Sequence, residues 1–278
     1  MKIGADLGGT NFRACLINDQ QIIKSNKIPL ENKESFDSTI EQIINLIKTI
    51  NGKDVAGIGI GVPSVVDTEK GIVYDVVNIP SWKEVLLKDI LENEFHIPVY
   101  INNDVNCFVL GEKYFGVGKN YKNIVGITIG TGIGAGIILD NKLYSGTNCG
   151  AGEFGYFPYL NHDLEYYCSS NFFDKEYGTT AYNLFLKAEK NDAQALSVWN
   201  EFGHHLGIAL KSVMYAYDPE IIILGGSISS AFKFFEASML SALKDNHFPK
   251  SIERLKICVS QIDNVSMLGA ASLVDQPN

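Results

Sequence analysis

The sequence predicts an α/β protein of two similar domains. Three observations predict it: an internal repeat near half the chain length, an alternation of apolar runs with helical periodicity, and a composition able to fill two cores. The repeat is clearest. Ile3 to Leu7 is an apolar run that ends in Gly8-Gly9-Thr10-Asn11, then Phe12 to Ile17 reads as a strand, Asn18-Asp19-Gln20 as a turn and Gln21-Ile22-Ile23 as a third strand. Val125 to Ile129 ends in Gly130-Thr131-Gly132, Ile133 to Leu139 follows, Asp140-Asn141-Lys142 turns and Leu143-Tyr144 begins a third strand. The two units align without a gap at an offset of 122, with Gly8 on Gly130 and Asp6 on Thr128. Each copy is a meander whose first turn is glycine-rich, and repetition at this length suggests two domains of one design.

The segments between and after the repeats justify the α/β reading. Phe36 to Ile50 carries apolar residues at helical spacing (Ile40, Ile43, Ile44, Ile47), and Val55 to Val62 is a strand of small and β-branched residues ending at Pro63-Ser64. After a turn at 67–71 and an irregular loop at 78–82, a helix is expected over Lys83 to Leu91, a buried strand over 97–102, and a helix from Asp104 to about Tyr114. Beyond the glycine-rich loop at 150–155, helices are expected over Leu164 to Tyr177, Ala181 to Lys190 and Ala193 to Tyr217, the last stopped by Pro219. Ile221 to Leu224 is a buried strand leading through Gly225-Gly226 to a helix from about Ser230. Leu255 to Ser260 is a last strand, and Ser266 caps a final helix to Val274. Strands alternating with helices indicate partly parallel sheets. The boundary is expected in the helix after Asp104: residues 1–105 with 265–278 form a smaller N-terminal domain, and 106–264 a larger one.

Composition excludes several classes. The chain has 278 residues, 46% hydrophobic and 20% charged, with a formal net charge of -9. It has no Lys/Arg block, which argues against a nucleic-acid partner. No apolar run is long enough to span a bilayer, and no signal pattern precedes the first strand, so a cytoplasmic protein with no membrane partner is expected. Five scattered cysteines, Cys15, Cys107, Cys149, Cys168 and Cys258, read as reduced core thiols. The histidines (His96, His162, His204, His205, His247) show no partner pattern and read as surface or satisfied core residues.

The candidate chemistry gathers at the strand ends. Glycine turns let backbone N–H groups approach an anion, because no Cβ stands in the way. Two matched turns facing across a cleft suit a polyphosphate, and the strand–Gly225-Gly226–helix junction is a further, weaker nucleotide contact. Such a site calls for a divalent cation held by one or two carboxylates plus water, and Asp6 at the mouth of the first turn suits that role. Asp104, at a strand-to-helix junction, suits either a helix cap or a base for an acceptor hydroxyl. The two roles are compatible, since a helix N-terminus favours an ionised carboxylate. Asn102, Asn103 and Glu153 offer hydrogen-bond partners for several hydroxyls, which fits a polyol substrate.

Five spaced stretches carry a family resemblance: 6–11, 103–106, 129–134, 152–155 and 218–220 with 225–226. In this order they resemble the ROK family of sugar kinases, repressors and open reading frames, within the actin/hexokinase-like superfamily. The resemblance spans essentially the whole chain. It implies two ribonuclease-H-like domains flanking an ATP and sugar cleft, with ATP and Mg²⁺ as cofactors and a hexose or N-acetylhexosamine as substrate. It further implies that Asp104 is the general base at the sugar hydroxyl, commonly O6, and that Asp6 belongs to the Mg²⁺ shell. Gly8, Gly9, Thr10, Asn11, Gly130, Thr131, Gly132 and Gly134 would bind phosphates, with Gly225 and Gly226 near the nucleoside. Asn78, Asn103, Glu153 and Glu165 match sugar-contacting positions, and Ser64 stands on a loop near the sugar where the family often has Gly. Family habit suggests a homodimer. Family members that regulate transcription carry an N-terminal helix-turn-helix, whereas here the first strand follows Met1 almost at once, which favours a kinase.

The departures are specific. The family's usual His after the Gly-Glu-x-Gly stretch is replaced by Tyr156, which joins the substrate-facing candidates. The family's cysteine cluster is absent; the chain runs from Phe157 through His162 to Leu164-Glu165 in a shortened loop. Cys168 and His162 alone cannot build a four-ligand site, so no structural zinc is expected. The aromatic run Phe154, Tyr156, Phe157, Tyr159, Tyr166 and Tyr167 lines the sugar site or packs the shortened loop.

Overall fold

A computed structural model describes residues 1–245 and 247–276, and the chain forms two compact units. Unit 1 contains Met1–Asn120, Leu143–Ala151 and the chain from Gln261 on; unit 2 contains Tyr121–Lys142 and Gly152–Ser260. The expected division at 105/106 and 264/265 is thus set beside an observed division at 120/121 and 260/261, with residues 277 and 278 of the expected first domain outside the described residues. The helix that begins at Asp104 stays with the strand before it.

In unit 1, β1 (Lys2–Leu7), β2 (Asn11–Asn18) and β3 (Gln21–Pro29) form the antiparallel meander. β1 then pairs in parallel with β4 (Ile58–Val62). Helix α1 (Phe36–Ile50) crosses between them, begun by Ser35, whose hydroxyl accepts from the Ser38 N–H at 3.3 Å. Its apolar stripe (Ile40, Ile43, Leu46, Ile47, Ile50) is buried, as the spacing requires. Trp82 is fully buried here, its indole N–H donating to the Thr39 hydroxyl at 2.8 Å. A small sheet of β5 (Val66–Asp67), β6 (Ile72–Tyr74) and β7 (Glu84–Val85) precedes α2 (Leu87–Phe95), β8 (Val99–Asn103) and α3 (Asp104–Tyr114). The helix expected from Lys83 therefore starts later, because Glu84 and Val85 pair with Tyr74 and Val73 instead. The main sheet runs β3-β2-β1-β4-β8. A C-terminal helix, Val265–Ser272, packs on it. It is preceded by Asn264 in the left-handed conformation, not capped by Ser266 as expected.

Unit 2 repeats the plan. β9 (Ile124–Ile129), β10 (Ile133–Leu139), β11 (Lys142–Leu143), β14 (Ile221–Gly225) and β15 (Lys256–Val259) form a sheet in the order β11-β10-β9-β14-β15, the counterpart of the first sheet strand for strand. A hairpin of β12 (Pro158–Tyr159) and β13 (His162–Asp163) takes up the shortened loop. The helix expected over 164–177 is two helices, α4 (Leu164–Tyr167) and α5 (Ser170–Tyr177), because the Ser169 hydroxyl caps a new start at Asn171 N. α6 (Ala181–Ala188), α7 (Ala193–Tyr217), α8 (Phe232–Lys244) and α9 (Pro249–Arg254) complete the unit. Its core is aromatic: Phe172, Phe173, Trp199, Phe202 and Phe235 are fully buried and meet mostly edge-on or tilted. No helix among the described residues is long and apolar enough to cross a membrane.

Candidate active site

The unit 1 candidates stand at the ends of three neighbouring strands. Asp6 of β1 stands in register with Gly61 of β4, and Gly61 with Asn102 of β8. Two strand spacings, about 10 Å, therefore separate Asp6 from Asn102 along the sheet. Asp104 follows as the first residue of α3. The cap of that helix is Asn103, not Asp104: its side-chain oxygen accepts from Val105 N at 2.9 Å and Asn106 N at 3.4 Å. Its amide nitrogen donates to the Ser64 carbonyl at 3.3 Å, which joins two of the sugar-facing candidates. The Ser64 hydroxyl in turn donates to the Tyr74 carbonyl. Asp104 Oδ1 accepts from Val105 N at 2.9 Å, so its carboxylate lies over the first turn, where the helix dipole favours negative charge. Behind it Asn102 Oδ1 accepts from Asn103 N and from Asn106 Nδ2, fixing the strand-to-helix corner.

Asp6 is 7% exposed, and Arg13, its register partner on β2, donates to it through Nε (3.1 Å) and Nη2. Both bonds fall on Oδ2. Oδ1 receives no donor among the described residues, a disposition that fits a cation which keeps its waters and takes one or two carboxylates. The adjoining turn closes through Gly8 N on the Asn11 carbonyl at 2.9 Å. Asn78 lies against it: a Cβ at Gly9 would stand 2.5 Å from Asn78 Nδ2. Lys33, which sequence reasoning missed, donates from Nζ to the Gly9 carbonyl. It is 24 residues away in a loop without a motif, so only the fold reveals it.

Unit 2 carries a glycine turn of its own, one residue shorter: Leu7 pairs with Phe12 across four residues and Ile129 with Ile133 across three, so the gapless offset of 122 expected from the sequence holds only up to this turn and becomes 121 beyond it. Gly130 N donates to the Gly132 carbonyl at 2.9 Å, and Ser170 N at the start of α5 donates to the Gly130 carbonyl at 2.8 Å. Parallel pairing sets Gly225 beside Thr128, and Gly226 lies against Ile129, so the two glycine segments assigned to nucleotide are neighbours. Glu165, a sugar-facing candidate, reaches this turn: its Oε2 accepts from Ile133 N at 3.2 Å. Burial, and then the Glu165 charge, raise the pKa of Glu153 although the residue surface is exposed. Tyr156 is 65% exposed, and the charge of Glu165 leads the causes that raise its phenol, followed by burial and Glu153. Glu153, Tyr156 and Glu165 thus act on one another.

The aromatic run divides. Phe154 and Tyr167 enter the core, Tyr156 and Phe157 stay exposed, and Tyr159, Tyr166 and Tyr167 group with His162 and His205. His162 stacks on Tyr166 with ring centroids 3.9 Å apart, and Cys168 is fully buried. Among the described residues no three His, Cys, Asp or Glu side chains come together to hold a metal ion. His205 is neither the surface nor the satisfied core histidine expected: Tyr159 Oη meets its Nδ1 at 3.0 Å, but its buried Nε2 has no hydrogen bond among the described residues, Glu201 being 3.7 Å away.

The ROK family model matches residues 2–277. The chain belongs to the ROK family. Among its relatives, the glucokinase of Thermotoga maritima is 30% identical over 99% of this chain and 97% of its own. The xylose repressor of Bacillus spizizenii is 28% identical over 98% of this chain and 76% of its own. The solved ROK family glucokinase from Streptomyces griseus, in complex with glucose and AMPPNP, shares the fold with a TM-score of 0.84 and 24% identity, each chain covered to 99%. The chain is thus similar both to a glucokinase and to a xylose repressor, and it shares the fold of a solved ROK family glucokinase.

Proposed function

We propose that this chain is an ATP-dependent hexose kinase with Asp104 as its general base. In this reading the carboxylate of Asp104 takes the proton of a sugar hydroxyl, O6 of a glucose-like hexose or N-acetylhexosamine. The sugar oxygen then bonds to the terminal phosphorus of ATP as the bond from that phosphorus to the bridging oxygen breaks, and ADP leaves. The observation that most supports it is the corner at Asp104, where Asn103 takes the cap and leaves the carboxylate to the first turn of α3, within the unit that also holds Asp6 and the Gly8–Asn11 turn. Asp6 would hold Mg²⁺ through Oδ1 or a water, and the ion would neutralise charge on the phosphates. Gly8, Gly9, Thr10 and Asn11 in unit 1, and Gly130, Thr131, Gly132 and Gly134 in unit 2, would receive phosphates, with Gly225 and Gly226 at the nucleoside. Asn78, Asn103, Ser64, Glu153, Glu165 and Tyr156 would hold the sugar. A neutral phenol at position 156 donates to a carboxylate or a sugar oxygen but offers no ring nitrogen as acceptor. No structural zinc enters this reading.

ADP release, followed in a coupled assay across hexoses and N-acetylhexosamines, tests the reading and names the sugar. Asp104→Ala is expected to lower turnover at least ~100-fold, the scale of a positioned base, with sugar affinity largely kept. Full activity of that variant would refute the assignment. The likeness to a xylose repressor supports a second reading, a sugar-sensing protein without turnover. Saturable sugar binding with no ADP release in the wild type would favour it over the kinase.

A further inference from the structure

Lys33 carries the one inference beyond this reading, and it rests on that reading. Its loop is fastened to the first glycine turn at several points. Leu30 N donates to the Thr10 carbonyl at 2.9 Å, and Lys33 Nζ to the Gly9 carbonyl. The Lys33 carbonyl is held from the other side by the Ser81 hydroxyl at 2.7 Å. The side chain is half-buried, and no carboxylate of the described residues pairs with it, although Glu31 and Glu34 flank it in sequence. An ammonium has three donors, and a peptide carbonyl uses one of them without neutralising the charge. A fixed, partly desolvated, unneutralised cation at an anion-accepting turn is an arrangement that an anion completes.

We infer that Lys33 is a phosphate-binding residue, its ammonium directed by the Gly9 carbonyl to the polyphosphate that the Gly8–Asn11 turn receives. In a loose phosphoryl transfer, charge spreads over the equatorial oxygens of the moving group, and a fixed cation there stabilises the transition state more than the ground state. The ligand chemistry is a nucleoside triphosphate, and the transfer itself is the one written above.

The test compares three variants of the full chain in the ADP-release assay. Lys33→Gln keeps a donor for the Gly9 carbonyl and removes the charge; it is expected to lower kcat about 100-fold, the scale of one lost charge-stabilising donor. Lys33→Arg, which restores the charge, is expected to recover at least tenfold of that loss. Ser81→Ala, which loosens the same loop but keeps the ammonium, is expected to stay near wild type. Lys33→Gln at wild-type kcat, or Ser81→Ala losing as much as Lys33→Gln, would overturn the inference and leave Lys33 a loop tether. Should the wild type release no ADP with any sugar, the kinase reading fails by itself, and Lys33 is then read from ATP binding by calorimetry. There a tenfold weaker Kd in Lys33→Gln, with sugar affinity unchanged, upholds it, and an unchanged ATP Kd refutes it.

Discussion

Gly226→Ala separates two costs that a glycine can hide. Gly226 sits at φ 82 and ψ 170, a region that residues with a Cβ scarcely populate. It also abuts the end of the neighbouring strand β9, so a Cβ there would stand 2.6 Å from the Ile129 nitrogen, and rigid backbone cannot step aside as a side-chain end can. The conformational cost is about 1–3 kcal/mol, and overpacking adds about 1–3 kcal/mol. A middle value of about 4 kcal/mol corresponds to a Tm lower by roughly 8–16 °C for a domain of this size. Gly178 supplies the control. It caps α5 at φ 59 with nothing within 4 Å of a new Cβ, so Gly178→Ala meets only the left-handed penalty, about 1–2 kcal/mol. Scanning calorimetry with urea unfolding reads both. Gly226→Ala should also weaken ATP, because the residue it displaces, Ile129, leads into Gly130. A Tm loss in Gly226→Ala no larger than in Gly178→Ala would refute the clash.

Two further predictions concern unit 2. At Gly132 a Cβ would stand 2.5 Å from Glu165 Oε2, whereas at Gly130 the nearest atom is the Ser227 hydroxyl at 3.8 Å. Gly132→Ala is therefore expected to raise the sugar KM about tenfold, by loosening a charged hydrogen bond worth about 1.5 kcal/mol, while Gly130→Ala leaves it nearly unchanged; equal sugar KM values would sink the link between turn and sugar site. Burial leads the causes that hold the His205 pKa below the ordinary imidazole value, against an opposing pull from Glu201. The unfolded chain then binds the extra proton first, so this stability is full at neutral pH and above and is lost as pH falls below roughly 6.5 towards the lowered folded value. Urea unfolding from pH 8 to 5 should show a shallower decline in His205→Gln, and parallel curves would exclude the imidazole as the source.

The repeat was legible because a meander's turns and apolar runs are local, and both sheets carry it in the same strand order. Its gapless register was not, since the second glycine turn is one residue shorter than the first. The start of α2 and the break between α4 and α5 were not. Glu84-Val85 is a strand only because Val73-Tyr74 lies beside it, and Ser169 ends one helix by capping the next. Within the candidate site the motif residues at 6–11, 104, 130–134 and 225–226 could be named from type and spacing. Their partners could not: Arg13 on Asp6, Glu165 on the Ile133 amide and Lys33 on the Gly9 carbonyl are contacts between strands or loops that no local pattern encodes.

By itself the sequence determined that the chain is a duplicated α/β protein of the ROK family with paired glycine turns and a carboxylate at a strand-to-helix corner. These follow from short-range periodicity, from turn chemistry and from motifs in fixed order. Only the tertiary structure decided how that corner is shared. Asn103 takes the cap, and the Asp104 carboxylate is left over the first turn of the helix. A cap is a question of which side chain reaches the free N–H groups, and neighbouring Asn and Asp both qualify until the backbone dihedral angles of residue 103 settle it.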